Sequence, residues 1–283
     1  MSMKKIGLSL GLIFLFILGS LAQDLISVAD LSKELKNPDY VIVSGEIETE
    51  YAKVHITGAV NVSYKAFFKP GDVEGLLVSN DEIAKILGNA GISEKKTIIV
   101  YDEGSMKYSG RLYFILKYMG APNVKVLDGG LEAWKAGRKP VTKNPSNVAK
   151  TTFIGKPNAA LIASMADVKA AKGKADVVLV DSREAGEFKG MENKSTGHLP
   201  GAVNWDHTTL IDAKHMLKPK AEIEKMLAEK GITKDKTIIL YCSTGVRASK
   251  EYLVLTSVLG YTKVKIYDNG YNEWKAAGNE VVK

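Results

Sequence analysis

Short apolar runs alternate with helix-like stretches along most of the 283 residues. In the second half the pattern predicts a buried strand over residues 177–180, a helix over 221–229 stopped by Gly231, and a strand over 237–241. A helix over 248–259, closed by Gly260, and a strand over 264–267 follow. The strands are unbroken apolar runs separated by helices. That combination predicts a parallel sheet covered on both faces, the α/β class. In such sheets ligands sit at the carboxyl ends of the strands. Residues 142–158 interrupt the pattern: they are polar, hold Pro145 and Pro157, and mark a domain boundary.

The pattern occurs twice. Residues 91–102, ending in Tyr101-Asp102, match residues 231–242, ending in Tyr241-Cys242, at a constant offset of 140. The same offset carries Asp128, Gly130 and Trp134 onto Asp268, Gly270 and Trp274. Upstream, His55 to Asn61 match His198 to Asn204 at an offset of 143. A period of this size means duplicated domains, well above the range of solenoid repeats. The division is residues 1–22 as a leader, 23–143 as an N-terminal domain with Asp102 at the cysteine position, 144–158 as linker, and 159–283 as the domain that carries the cysteine.

The leader has a basic head at Lys4 and Lys5, an apolar core over residues 6–18, and small residues at Ser20 and Ala22. It reads as a secretory signal cut after Ala22, which predicts an exported, periplasmic or extracytoplasmic protein with no stable membrane insertion after cleavage. An uncleaved N-terminal anchor is the alternative. Without Lys4 and Lys5, 39 basic residues become 37 against 32 acidic ones. The lysines are scattered, so nucleic acid is not an expected partner, whereas a small anionic substrate is compatible.

Cys242 is the single cysteine, and an exported chain with one cysteine takes no structural disulfide from it. It stands where the apolar run 237–241 meets the loop Ser243-Thr244-Gly245-Val246-Arg247 and a helix begins. Successive backbone N–H groups and the positive end of the helix dipole converge there and favour an anion. A thiolate at such a place is a nucleophile with an anion cradle attached, in contrast to an inert core cysteine.

These residues resemble the rhodanese family of sulfurtransferases, specifically its exported two-domain kind. The resemblance rests on Asp181-Ser182-Arg183 with Glu187, on Gly197 to Asn204, on the Cys242 loop, and on Asp268-Asn269-Gly270 before Trp274, with a degenerate copy ahead of them. It implies two tandem rhodanese-like domains, each a five-stranded parallel sheet flanked by helices on both faces. Asp102 stands where two-domain members often have Asp in place of the first cysteine. The implied reaction moves a sulfane sulfur from thiosulfate or 3-mercaptopyruvate to cyanide or a thiol acceptor, small or on a protein, through a Cys242 persulfide. It implies no cofactor and no metal. The N–H groups of Ser243, Thr244, Gly245, Val246 and Arg247 are expected to cradle the substrate, and Arg247 to grip a sulfur oxyanion by two parallel hydrogen bonds.

The loop also departs from the best-known members. Ser243-Thr244 resembles the small-residue type of the mercaptopyruvate enzymes, Arg247 recurs in many bacterial loops, and Glu187 replaces an Arg of the mammalian-type enzymes. Arg183 is a candidate for substrate contact or for pairing with Glu187, and Asp181 for support of local backbone. His198, repeated as His55, is expected to hydrogen-bond within the fold. His207 and His215 lack ligands at metal spacing and read as surface residues. Trp134 and Trp274 read as core anchors, and Trp205 as packing. A non-catalytic persulfide carrier or redox sensor stays open, as does a phosphatase on the same fold. The phosphatases place five residues between Cys and Arg, against four between Cys242 and Arg247.

Overall fold

The computed structural model of the chain describes residues 24–191 and 195–283. The leader therefore lies outside the described residues. Each half is built on a parallel sheet. In the first the strand order is Leu25–Ile26, Val124–Leu127, Thr97–Tyr101, Tyr40–Ser44 and Val60–Asn61. In the second it is Val264–Ile266, Thr237–Tyr241, Val177–Asp181 and Val203–Asn204. The expected fifth strand of the second sheet is reduced to a single parallel bridge between Ile162 and Ile266. The central strands are runs of β-branched and aromatic residues buried on both faces, as parallel pairing under two helical layers requires. The pairing of Thr237–Tyr241 with Val177–Asp181 sets Tyr241 beside Asp181, so Cys242 emerges at the carboxyl end of the sheet.

The halves meet through two helices, Lys107–Tyr118 from the first and Val246–Leu253 from the second, both buried on most of their surface. Gly110 lets them touch backbone to backbone: a Cβ there would lie 2.9 Å from Lys250 Cα. Phe114 meets the Tyr252 ring edge-on at 5.1 Å, and one apolar cluster runs through both halves. Each half keeps a smaller core on its outer face around its own tryptophan. Trp134 Nε1 donates to the Pro140 carbonyl at 3.0 Å and Trp274 Nε1 to that of Glu280 at 2.7 Å, a bond repeated with the duplication.

The helix expected over 248–259 starts two residues early and changes winding, with an α-helical segment to Leu253 and a π-helical one over Val254–Val258. The reason lies in the loop before it. From Asp102 to the left-handed Met106 that opens the first interface helix is four steps, whereas from Cys242 to the left-handed Gly245 is three. The cysteine loop is one residue shorter, and the π-turn takes up the extra residue, so that Gly120 and Gly260 again match at 140.

Two straps cross between the halves in reciprocal fashion. The segment between the bridged residues Phe68 and Leu77 lies against the cysteine loop, with a Gly75 Cβ placed 2.6 Å from Thr244 Cβ and the Glu74 carbonyl accepting from Asn272 Nδ2 at 3.1 Å. The segment between Ile211 and Leu217 lies against the Asp102 loop, where His215 packs on Gly104. Residues 144–158 are extended and hydrogen-bond to the first half, through Thr151 N to the Gly88 carbonyl at 2.9 Å and Lys156 N to that of Met119 at 2.8 Å.

Candidate active site

Cys242 is only 1 % exposed, at the base of its loop. Its carbonyl accepts from Tyr271 N at 2.8 Å, and that of Ser243 from Asn272 N at 3.3 Å. These bonds fix the strand end against the helix Gly270–Ala276. Gly245, at φ 78°, turns the chain in the left-handed region and opens the helix. None of the N–H groups from Ser243 to Ala248 meets an acceptor among the described residues. Unpaired donors of this kind at a helix start form an anion nest.

The copy in the first half shows what such a nest holds. The Asp102 carboxylate lies inside its own loop and accepts from Gly104 N at 3.0 Å, Met106 N at 3.1 Å, Tyr108 N at 3.0 Å and Ser109 N at 3.2 Å. Ser109 Oγ adds a fifth donor at 3.2 Å. A carboxyl group from the chain itself thus fills the first cradle, where burial and the Glu103 carboxyl raise its pKa against the pull of the backbone donors, while the second presents a thiol and free donors.

Arg247 does not offer the double grip expected for a donor oxyanion. Its two terminal nitrogens are taken by the Glu187 carboxylate, Nη2 to Oε1 at 3.1 Å with Nη1 on Oε2, and Nη2 also donates to Ser243 Oγ at 3.0 Å. Burial opposes the Arg247 charge, but the bonds to Glu187 and the nearby Cys242 outweigh it and raise its pKa above the ordinary value. The guanidinium is therefore a charged brace across the loop from Ser243 to Glu187.

Arg183 is likewise committed elsewhere. It is fully buried, with Nε on Asp181 Oδ1 at 2.9 Å, Nη2 on Asp181 Oδ2 at 2.6 Å, Nη1 on Ser195 Oγ at 3.1 Å and Nη2 on the Gly197 carbonyl at 2.9 Å. Its planar face lies 4.0 Å from the Tyr271 ring centre. It pairs with Asp181, not with Glu187, because a desolvated guanidinium takes the nearest carboxylate. Asp181 also accepts from Arg183 N at 2.9 Å and so supports local backbone.

His198 Nδ1 lies 3.0 Å from the Phe188 carbonyl and His55 Nδ1 2.8 Å from that of Tyr51, each ring stacked on its neighbour. His207, expected at the surface, is 5 % exposed, and burial pushes its pKa down to about 3. It turned inward because the turn His207–Leu210 packs on the interface helix of its own half. Trp205 is fully buried. Glu251, which no sequence signal marked, lies in the core with Oε2 2.5 Å from Ser182 Oγ, and burial raises its pKa well above the carboxylate range.

The first half keeps a cavity of about 320 Å³ beside its loop, lined by Glu46, Glu50, Tyr101, Glu103, Tyr108 and Lys135 among others. Glu46 accepts from Glu103 N at 2.9 Å, and burial together with the Glu103 carboxyl pushes its pKa up to about 9. The folded chain therefore holds a proton that the unfolded chain releases near 4.5. This stability is present below pH 4.5 and is lost as the pH rises towards about 9. Glu46→Gln should remove that slope, so its melting temperature should exceed that of the parent at pH 8 and match it at pH 4. Equal melting curves at both pH values would contradict the raised Glu46 pKa.

The chain matches the family model of the rhodanese-like domain twice, over residues 27–137 and 164–277. A putative thiosulfate sulfurtransferase of Synechococcus elongatus is 34% identical over 240 residues, covering 80% of this chain and 74% of the relative. The thiosulfate sulfurtransferase of Azotobacter vinelandii is 30% identical over 252 residues, covering 88% and 93%. Among solved structures, the 3-mercaptopyruvate sulfurtransferase SseA of Escherichia coli superposes with a TM-score of 0.82 at 25% identity, covering 88% of this chain and 99% of that one.

Proposed function

The chain belongs to the rhodanese family and is a sulfurtransferase, and on that premise we propose that Cys242 is its sulfur-carrying nucleophile and the N–H groups of Ser243 to Ala248 its cradle. The observation that carries this reading is the pair of nests: the same loop, in the half without cysteine, encloses a carboxylate. A cradle that holds two carboxylate oxygens also suits a persulfide and the charge that develops as sulfur moves.

The Cys242 thiolate attacks the outer sulfur of the donor. A Cys242 S–S bond forms, the donor's bond to that sulfur breaks, and its electron pair leaves with sulfite when the donor is thiosulfate. Cyanide or a thiolate then attacks the terminal sulfur and returns Cys242 as thiolate, a ping-pong relay. The buried thiol admits a donor only by a projecting terminal sulfur, which thiosulfate and 3-mercaptopyruvate both have. Thiosulfate is the donor the similarities favour, since the curated relatives are named for it.

Purified protein given thiosulfate should release one sulfite per chain and gain 32 Da on Cys242 by mass spectrometry. Cys242→Ala should do neither and should not form thiocyanate. Release of sulfite without added mass on Cys242 would overturn the assignment. Uptake of sulfur without turnover to cyanide or any thiol would make the protein a carrier. The same spectrum reads the N-terminus of exported material, where cleavage after Ala22 would leave Gln23 first.

A further inference from the structure

Among the described residues, Arg111 is a fully buried arginine on the interface helix of the half that has no cysteine. Its guanidinium crosses into the other half and grips the Asp268 carboxylate with both arms, Nη2 to Oδ2 at 3.0 Å and Nη1 on Oδ1. The two residues lie 157 positions apart. Asp268 follows the strand Val264–Ile266, two residues before the glycine that packs under Cys242.

The pair lies directly against the turn of the cysteine loop. A Cβ on Gly245 would fall 2.8 Å from Arg111 Nη1 and 2.8 Å from the Asp268 carbonyl oxygen, and would overlap Asp268 Oδ1. Gly245 is the residue whose left-handed turn, three residues after the thiol, opens the interface helix. The ion pair is thus a floor on which that turn rests. Among the described residues Arg111 Nε finds no acceptor, so the two arms on Asp268 are the side chain's hydrogen bonds there.

The duplication supplies a comparison. Counted from the left-handed residue that opens each interface helix, Lys250 occupies the place of Arg111, and Asp128 that of Asp268. Among the described residues Lys250 meets no carboxylate within 4.0 Å, and burial holds its pKa down at about 8. Asp128 accepts instead from Leu217 N at 3.0 Å. The bidentate brace is built under the cysteine loop and is missing under the Asp102 loop, which its own carboxylate already holds in shape.

A buried ion pair adds little stability over well-packed apolar residues of the same size. What it adds is direction, because a planar fork on a carboxylate fixes both partners in one geometry. We propose that Arg111 is a positioning residue for the sulfur-transfer site: acting through Asp268, it holds the Gly245 turn so that the backbone N–H groups stay aimed at Cys242. The cysteine-less half thereby takes part in the chemistry without touching the substrate. This rests on Cys242 being the nucleophile.

The test separates geometry from stability. Arg111→Met with Asp268→Leu replaces the pair by apolar side chains and should keep the melting temperature within a few degrees of the parent. It should lower kcat with thiosulfate at least tenfold, leave KM within about threefold, and slow alkylation of Cys242 by iodoacetamide by a similar factor. Arg111→Lys keeps the charge but loses the fork, and should show a smaller fall in the same two rates. If the double variant does not fold, Arg111→Lys decides alone. Parental kcat and alkylation rate in a folded double variant, or in Arg111→Lys, would overturn the proposal. Alkylation needs no sulfur donor, so the positioning role can fail or stand apart from the identity of the reaction.

Discussion

Substituting Gly270 by alanine is expected to lower turnover at least a hundredfold and to destabilise the protein by about 2–4 kcal/mol. Gly270 sits at φ 59°, and a Cβ there would overlap the Cys242 carbonyl oxygen and lie 3.0 Å from that of Ser243. Relief of that overlap must move the strand end and strain the Tyr271 N bond to the Cys242 carbonyl. A displacement of the nucleophile by about 1 Å is enough for a hundredfold loss. The repeat gives a matched control. Gly130, at φ 54°, stands in the same relation to Asp102, with a Cβ 2.5 Å from its carbonyl oxygen, and Leu131 N makes the corresponding bond at 2.8 Å. Gly130→Ala should therefore cost a similar amount of stability while retaining far more activity. Denaturant midpoints and kcat measured on both variants check this, and equal losses of activity would show that Gly270 acts only through folding.

Glu187→Gln should lower KM for thiosulfate about tenfold, the equivalent of about 1.4 kcal/mol. The carboxylate cancels the Arg247 charge at the rim of the loop, and both terminal nitrogens are committed to it. An amide of the same shape removes the negative charge and one acceptor oxygen, so a net cation faces the anionic donor. The lost charge-assisted bond should cost about 1–3 kcal/mol of stability, read as a lower melting temperature. An unchanged or higher KM would mean that the guanidinium remains turned away from the donor even when released.

The architecture and the cysteine were legible because both repeat or stand out: two apolar frameworks at one offset, and a thiol at a strand end. The brace from Arg111 to Asp268 was not. Its partners are 157 residues apart: Asp268 stands in a repeated motif, but Arg111 looks like an ordinary charged residue until the interface helices bring the two together. Arg247 and Arg183 stand out in sequence as binding candidates, yet sequence carries no sign of which carboxylate a buried guanidinium will reach. Glu187 and Asp181 took them. The constant offset of 140 also concealed the one-residue shortening of the cysteine loop, because the π-turn over Val254–Val258 restores the count before the next matched segment. His207 is buried where the sequence predicts a surface residue, because a histidine in a polar stretch gives no hint that its turn packs on a helix.

The reciprocal straps have a consequence for stoichiometry. Each half covers the loop of the other, which is the pattern of a twofold dimer carried within a single polypeptide. In a dimer of identical chains, both loops would bear the same residue and whatever braced one would brace the other. Joined by residues 144–158, the two ends are free to differ: one loop is closed by Asp102, the other is supported by Arg111 and left open. The tether keeps the halves at an effective concentration in the millimolar range, so the arrangement does not depend on how dilute the protein is. Half-of-the-sites reactivity, which symmetric enzymes reach only by negative cooperativity, is here written into the sequence. With Cys242 as the proposed carrier, each chain offers one thiol to load with sulfur.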